Sequence, residues 1–160
     1  MIGYGAVKYF DLKVHRNTSY TFSYDRMLDL KGNTAVYLLY AYARIRSIIR
    51  KSGVNVDSLL QEQAQQEKQL LRLEHDAEWQ LALRLVRFRE VLEQVIEYLE
   101  PHLLCDYLYD LANTFTAFHR DCRVIDEGKV NESRLLLCHA TATVMSQCFD
   151  LLGIDKLERI

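Results

Sequence analysis

Apolar residues recur along this chain at the spacing of helix faces, and the breaks between the runs carry the residues that begin and end helices. Between Asn33 and about Ser52, Leu38, Tyr42, Ile45 and Ile49 step by four, three and four, which predicts one amphipathic helix. Lys31-Gly32-Asn33-Thr34 supplies a turn and cap before it, and Gly53 stops it. From Asp76, the expected N-cap, to about Leu99 the positions Leu81, Leu85, Phe88, Leu92, Val95 and Leu99 form a second stripe. Pro101 suits the first turn of a third helix, with Leu104, Leu108, Leu111, Phe115, Phe118 and Cys122 along one face. Asp126-Glu127-Gly128 reads as a turn, after which Asn131 caps a last helix with the stripe Leu137, Thr141, Val144, Cys148 and Leu151. Gly153 follows, where a left-handed C-cap residue is wanted.

The N-terminal part is less regular. Tyr4 to Leu12 is expected to be a short helix, and Lys13 to Ser23 an extended loop with some strand character. After Gly53, Asp57 or Ser58 caps one or two turns, and Gln61, Gln63, Gln65, Gln66 and Gln69 form a polar connector with few anchors. Three long helices with matching stripes predict an all-α bundle whose tightest seam joins the Asp76, Pro101 and Asn131 helices.

With 160 residues, one proline and 49% hydrophobic residues, the chain is sized for one helical domain. Twenty Lys plus Arg against 22 Asp plus Glu leave a net charge of -2, which excludes a uniformly basic coat; any nucleic-acid site is a local patch. The apolar runs fall short of the roughly 20 residues of a bilayer span, and the N-terminus lacks the pattern of a secretory signal, so a non-exported, membrane-free protein is expected. Cys105, Cys122, Cys138 and Cys148 lie on helical segments and read as reduced, buried thiols.

Candidate chemistry is sparse. His102/Cys105 and His119/Cys122 each have the i,i+3 spacing of a ligand pair, but both lie on one predicted helix about 25 Å apart, so they cannot share a zinc and no metal is expected. Gly3-x-Gly5 has neither the preceding strand nor the third glycine of a phosphate loop, and no nucleophile-elbow, zinc-protease or P-loop sequence occurs. No catalytic residue is therefore expected. The more informative pattern pairs arginines with aromatics: Tyr37, Tyr40, Tyr42, Arg44, Arg46 and Arg50 on one helix, and Phe118, His119, Arg120 and Arg123 on another. Unpaired RNA bases stack on aromatic rings and guanidinium planes, and arginines meet phosphates. Core or rim packing beside a solvated charged face gives the same pattern.

Three stretches resemble the C-terminal region of arginyl-tRNA synthetase. They are Tyr20-Thr-Phe-Ser-Tyr-Asp-Arg-Met-Leu28 running into Gly32-Asn-Thr-Ala-Val-Tyr-Leu-Leu-Tyr-Ala-Tyr-Ala-Arg-Ile-Arg-Ser47; Asp110 to Val124 with Phe118-His119-Arg120-Asp121-Cys122; and Arg134 to Met145 with Leu151-Leu-Gly-Ile154. The resemblance implies an all-α bundle of the class Ia synthetase anticodon-binding type over 31–160, preceded over 1–30 by the tail of the stem-contact region. It implies a fragment that grips the anticodon stem-loop of arginine tRNA, not DNA, while a preceding catalytic domain uses ATP and magnesium; neither cofactor belongs to this stretch. The wording is similar to eukaryotic cytosolic members, which implies a cytoplasmic protein.

The same resemblance nominates His119, Arg120, Arg123, Tyr37, Tyr40, Arg44 and Ile160 as tRNA-binding residues. Tyr37 and Tyr40 fall near the family's domain junction, where they either contact RNA or fix the bundle to the catalytic domain. His119 stands where the family commonly has a tyrosine; beside the apolar stripe, it is expected to project next to Arg120 and Arg123 and to attract phosphate more as pH falls from 7.5 to 6. Ile160 stands near where family chains end in methionine. A rival reading is a helical protein-interaction module of a multi-synthetase assembly, docking through the Gln61 to Gln69 segment. A steep fall of affinity with salt marks RNA, and a shallow one marks apolar docking.

Overall fold

The computed structural model describes residues 2–65 and 71–157, with no side-chain description for 62–65. Eight helices and one small hairpin follow in order: α1 (Ile2–Leu12), α2 (Tyr24–Met27), α3 (Ala35–Ser52), α4 (Val56–Gln65), α5 (Asp76–Val86), α6 (Phe88–Tyr98), α7 (His102–Asp121), β1 (Ile125–Asp126), β2 (Lys129–Val130) and α8 (Glu132–Leu151). The all-α expectation holds. No helix among the described residues is long and apolar enough to cross a membrane.

Several ends are set by the expected residues. The Thr34 hydroxyl accepts the Tyr37 amide at 3.1 Å, Gly53 ends α3 at φ +66°, and the Asn131 side chain accepts the Arg134 amide at 3.1 Å. Glu127 and Gly128, at φ +46° and +79°, make the two-residue turn that antiparallel strands of right-handed twist require, pairing Ile125 with Val130 and Asp126 with Lys129. The strand character expected between Lys13 and Ser23 is not found; the short helix α2 follows instead, capped by Ser23.

Two expectations change. The cap of α5 is His75, not Asp76: its Nδ1 accepts the Ala77 amide at 3.1 Å, while Asp76 occupies the first turn, where a carboxylate suits the helix dipole. The helix predicted to run unbroken to Leu99 divides at Arg87. The Tyr107 hydroxyl donates to the Arg84 carbonyl at 3.0 Å, giving that acceptor a partner outside the helix ladder. Phe88 stacks on the same Tyr107 ring, and α6 lies at the periphery with Val91, Leu92 and Val95 half-buried. Leu99 leaves the stripe, 70% exposed and left-handed at φ 54°.

The predicted three-helix seam is incomplete because α3 is as central as the others: α8 packs chiefly on α3 and α7 on α5, with α5 and α7 also meeting α8. Leu38, Ile45, Leu81, Leu108, Leu111, Phe115, Phe118, Leu135, Met145 and Phe149 fill the space between them. Enclosed on several sides, α8 buries Leu135, Leu136, Leu137 and Cys138 in succession, so a single-face stripe misassigns it. Val144 is half-buried and Leu151 is 61% exposed; Leu152 and Ile154 pack inward instead.

The first helix closes against the far end of the described chain. A Cβ added at Gly5 would lie 3.0 Å from Ile154 Cγ2, and Lys8 Nζ donates to the Gly153 carbonyl at 2.7 Å. Beside them the buried Tyr9 hydroxyl lies 3.0 Å from the Cys105 carbonyl. His15 Nε2, 2.9 Å from Glu100, ties the following loop to the corner between α6 and α7. Gln66, Gln69 and the rest of 66–70 lie outside the described residues, and with them part of the segment nominated for protein docking.

Candidate nucleic-acid interface

Tyr37 and Arg44 of α3 and His119 of α7, far apart in sequence, line one seam where these helices pack. At one end the Tyr37 hydroxyl donates to Asn113 Oδ1 at 3.0 Å and lies 3.4 Å from Thr116 Oγ1, while its ring meets Tyr109 edge-on at 5.9 Å. Seven residues along, Arg44 Nη2 lies 3.4 Å from His119 Nδ1. Tyr40, on the same side of α3, is 50% exposed.

Tyr37 is half-buried and its hydroxyl is engaged, so it serves as a strut of this face; Tyr40 keeps an open aromatic surface. Asn113 and Thr116 were not singled out from the sequence. The available signal was their three-residue step to His119, which puts all three on the polar side of the Phe115 and Phe118 stripe.

His119 differs from expectation. Its ring is half-buried, 6.0 Å from the Phe115 ring centroid, and drawn toward α3 instead of standing free beside Arg120 and Arg123. Burial, and then the positive charge of Arg44, push its pKa below the usual histidine value, so the ring is neutral near pH 7. The expected tightening of tRNA binding from pH 7.5 to 6 is therefore displaced toward lower pH.

The other cations lie at and beyond the end of α7. Arg120 donates from Nε to Asp121 Oδ1 at 2.7 Å and from Nη2 to Oδ2 at 2.9 Å, both side chains at the surface. Arg123 Nη1 donates to Asp126 at 3.1 Å. These carboxylates hold the guanidinium groups in place and offset their charge, and solvent screening leaves such pairs free to exchange for phosphate. Ile160 lies outside the described residues.

Behind Arg123 is a polar knot. Buried Glu78 accepts the Arg134 Nε at 2.6 Å and the amides of Glu74 and His75 at 2.6 and 3.1 Å, and Arg134 Nη1 donates to the Arg123 carbonyl at 2.9 Å. Burial alone raises the Glu78 pKa, but the Arg134 hydrogen bond and the two amides outweigh it and hold the carboxyl below its ordinary value. The knot joins the starts of α5 and α8 to the end of α7.

Neither His-x-x-Cys pair converges on a point. His102 packs edge-on to His15 at 5.1 Å, while Cys105 is buried with its thiol pushed up to about 12 by burial and then by Asp106. His119 faces Arg44 and Cys122 is buried. Among the described residues no group of three or more His, Cys, Asp or Glu side chains is placed to hold a metal ion. All four cysteines are free and buried, as their helical positions implied.

The model of the DALR anticodon binding domain family matches residues 38–160. The chain is 54% identical over 160 residues to the chloroplastic/mitochondrial arginine–tRNA ligase of Arabidopsis thaliana, covering 99% of this chain and 24% of that protein. It is 51% identical over 160 residues to the cytoplasmic ligase of the same plant and 46% identical over 166 residues to that of Xenopus tropicalis, covering 99% of this chain and 26% and 25% of those proteins. It spans about a quarter of the length of these relatives. Among solved structures it is similar to arginyl-tRNA synthetase from Plasmodium falciparum (TM-score 0.87, 40% identity, 99% of this chain and 27% of that one). The Thermus thermophilus arginyl-tRNA synthetase gives a TM-score of 0.81 at 28% identity, over 100% of this chain and 27% of its own.

Proposed function

Since the chain belongs to the DALR anticodon-binding domain family of arginyl-tRNA synthetase, we propose that its α3–α7 seam and the arginines at the end of α7 grip the anticodon stem-loop of arginine tRNA. An anticodon-binding domain binds tRNA. In this one, His119 and Tyr40 offer rings to unstacked loop bases, Arg120 and Arg123 meet phosphates, Arg44 backs the His119 ring, and Tyr37 braces the face. Ile160 adds an apolar contact to the tRNA. Residues 1–30 are the junction toward a catalytic domain in the same parent chain, which activates arginine with ATP and magnesium. Binding energy gathered at the anticodon then orients the distant acceptor end for that chemistry.

The observation that carries the reading is the meeting of Arg44 with His119 on a face that also bears Tyr37 and Tyr40, residues brought together only by folding. Filter binding of this chain to arginine tRNA and to a non-cognate tRNA tests it. Arginine tRNA should bind more tightly, and affinity should fall steeply with salt. His119→Ala should weaken arginine tRNA binding by about 1 kcal/mol, the low end for a base–aromatic contact because the ring is half-buried, and His119→Tyr should restore it. Arg123→Gln should weaken both tRNAs alike, as loss of a phosphate contact does. Equal affinity for the two tRNAs with little salt dependence overturns the reading.

The compartment proposed is the cytosol, supported by the cytoplasmic ligases of X. tropicalis and A. thaliana. The 54% identical relative is chloroplastic/mitochondrial, so tagging the whole parent protein and locating it in intact cells decides the matter.

A further inference from the structure

Arg44 does more in this geometry than add positive charge. A guanidinium has N–H donors and no acceptor, so a hydrogen bond between Arg44 Nη2 and His119 Nδ1, 3.4 Å apart, requires Nδ1 to be the unprotonated nitrogen. A neutral imidazole with a bare Nδ1 carries its proton on Nε2. Protonating both nitrogens would set a second cation against Arg44 in a half-buried place, and the ring also packs against Phe115. Arg44, from α3, is the charged group facing the ring; Arg120 and Asp121, the next residues on α7, are paired with each other.

Building on the tRNA-binding reading above, we propose that Arg44 is a positioning residue that locks His119 in its neutral Nε2–H tautomer, so that the ring presents a base with one N–H donor. The ligand feature selected is an acceptor on the edge of an unstacked base, a ring nitrogen or a carbonyl oxygen. A base edge offering only N–H groups is refused, because donor would face donor. A tyrosine hydroxyl rotates to donate or accept, whereas the locked imidazole has one sense only. The pair therefore converts an aromatic stacking surface into a directional reader.

Long-range proton–nitrogen NMR on the isotopically labelled 160-residue chain tests the lock, and tRNA binding tests its use. At pH 7.5, His119 should show an unprotonated Nδ1 and a protonated Nε2. Arg44→Met should give a mixture of tautomers, and Arg44→Lys, which keeps a donor, should restore the single form. The preference for arginine tRNA over a non-cognate tRNA should fall in Arg44→Met by the reciprocal of the fraction left in the Nε2–H form, about twofold for an even mixture, and be largely kept in Arg44→Lys. A protonated Nδ1 in the unsubstituted chain, or an unchanged tautomer in Arg44→Met, overturns the lock. Equal weakening of both tRNAs in Arg44→Met shows a phosphate contact and overturns the positioning role. If the unsubstituted chain binds neither tRNA, the binding reading fails and takes the base-reading claim with it, while the spectrum still decides the tautomer.

Discussion

Phe118→Ala should destabilise the chain by roughly 3–5 kcal/mol, and Leu108→Ala by roughly 2–4 kcal/mol. Both side chains are fully enclosed on α7, with α3, α5 and α8 all packed against that helix, so truncation leaves a cavity that three neighbours would have to shift to close. Domains of this kind are stable by about 5–15 kcal/mol, so the phenylalanine alone accounts for a large fraction. Val144→Ala should cost only about 0.5–1 kcal/mol, because that side chain already reaches water. Urea melts at constant slope measure all three. Losses under about 0.5 kcal/mol for both α7 variants would place the core elsewhere.

The second large effect is expected at Glu78. Glu78→Ala strands the Arg134 guanidinium and the amides of Glu74 and His75, at a cost of about 3 kcal/mol. That is the low end for breaking a buried ion pair, because the Arg134 side chain keeps 22% exposure to water. The sign with pH follows from the carboxyl being held below its ordinary value of 4.5. The stability gained by ionising Glu78 is complete above that value and is lost as pH falls through the lower, folded one. The gap between the native chain and Glu78→Gln should therefore be widest near neutrality and close in acid. A gap that is constant from pH 7 to pH 3 would show that the Glu78 charge contributes nothing.

The legible parts of this fold were those whose cause is local. Thr34, Gly53 and Asn131 set helix ends with their own side chain or backbone, and the Phe115–Phe118 stripe marks the buried face of α7 by spacing alone. What was missed depends on partners distant in sequence. The division at Arg87 has no proline or glycine to announce it; Tyr107, on another helix, supplies the outside partner. The one-faced pattern assigned to α8 failed because its surroundings, not its sequence period, decide how many sides are covered. At the candidate site, residue types and the family resemblance pointed to Arg44 and His119 separately. Their meeting, and the resulting shift of the histidine's charging to lower pH, follow from how α3 crosses α7.

The contact of α1 with the loop at Gly153 and Ile154 sets an order of events during synthesis. Lys8 and its acceptor are separated by 145 residues. A ribosome adding about 5–20 residues per second takes roughly 7–30 s to cover that interval. Throughout it the nascent chain carries α1 without its contact at Gly153 and Ile154, although α3 and α7 emerge earlier and Tyr20 and Phe22 already meet Phe10. Final docking of α1 consequently waits for the end of α8 even if α3 to α7 assemble on the ribosome. A pause near residue 150 prolongs the interval in which this one contact of α1 stays open.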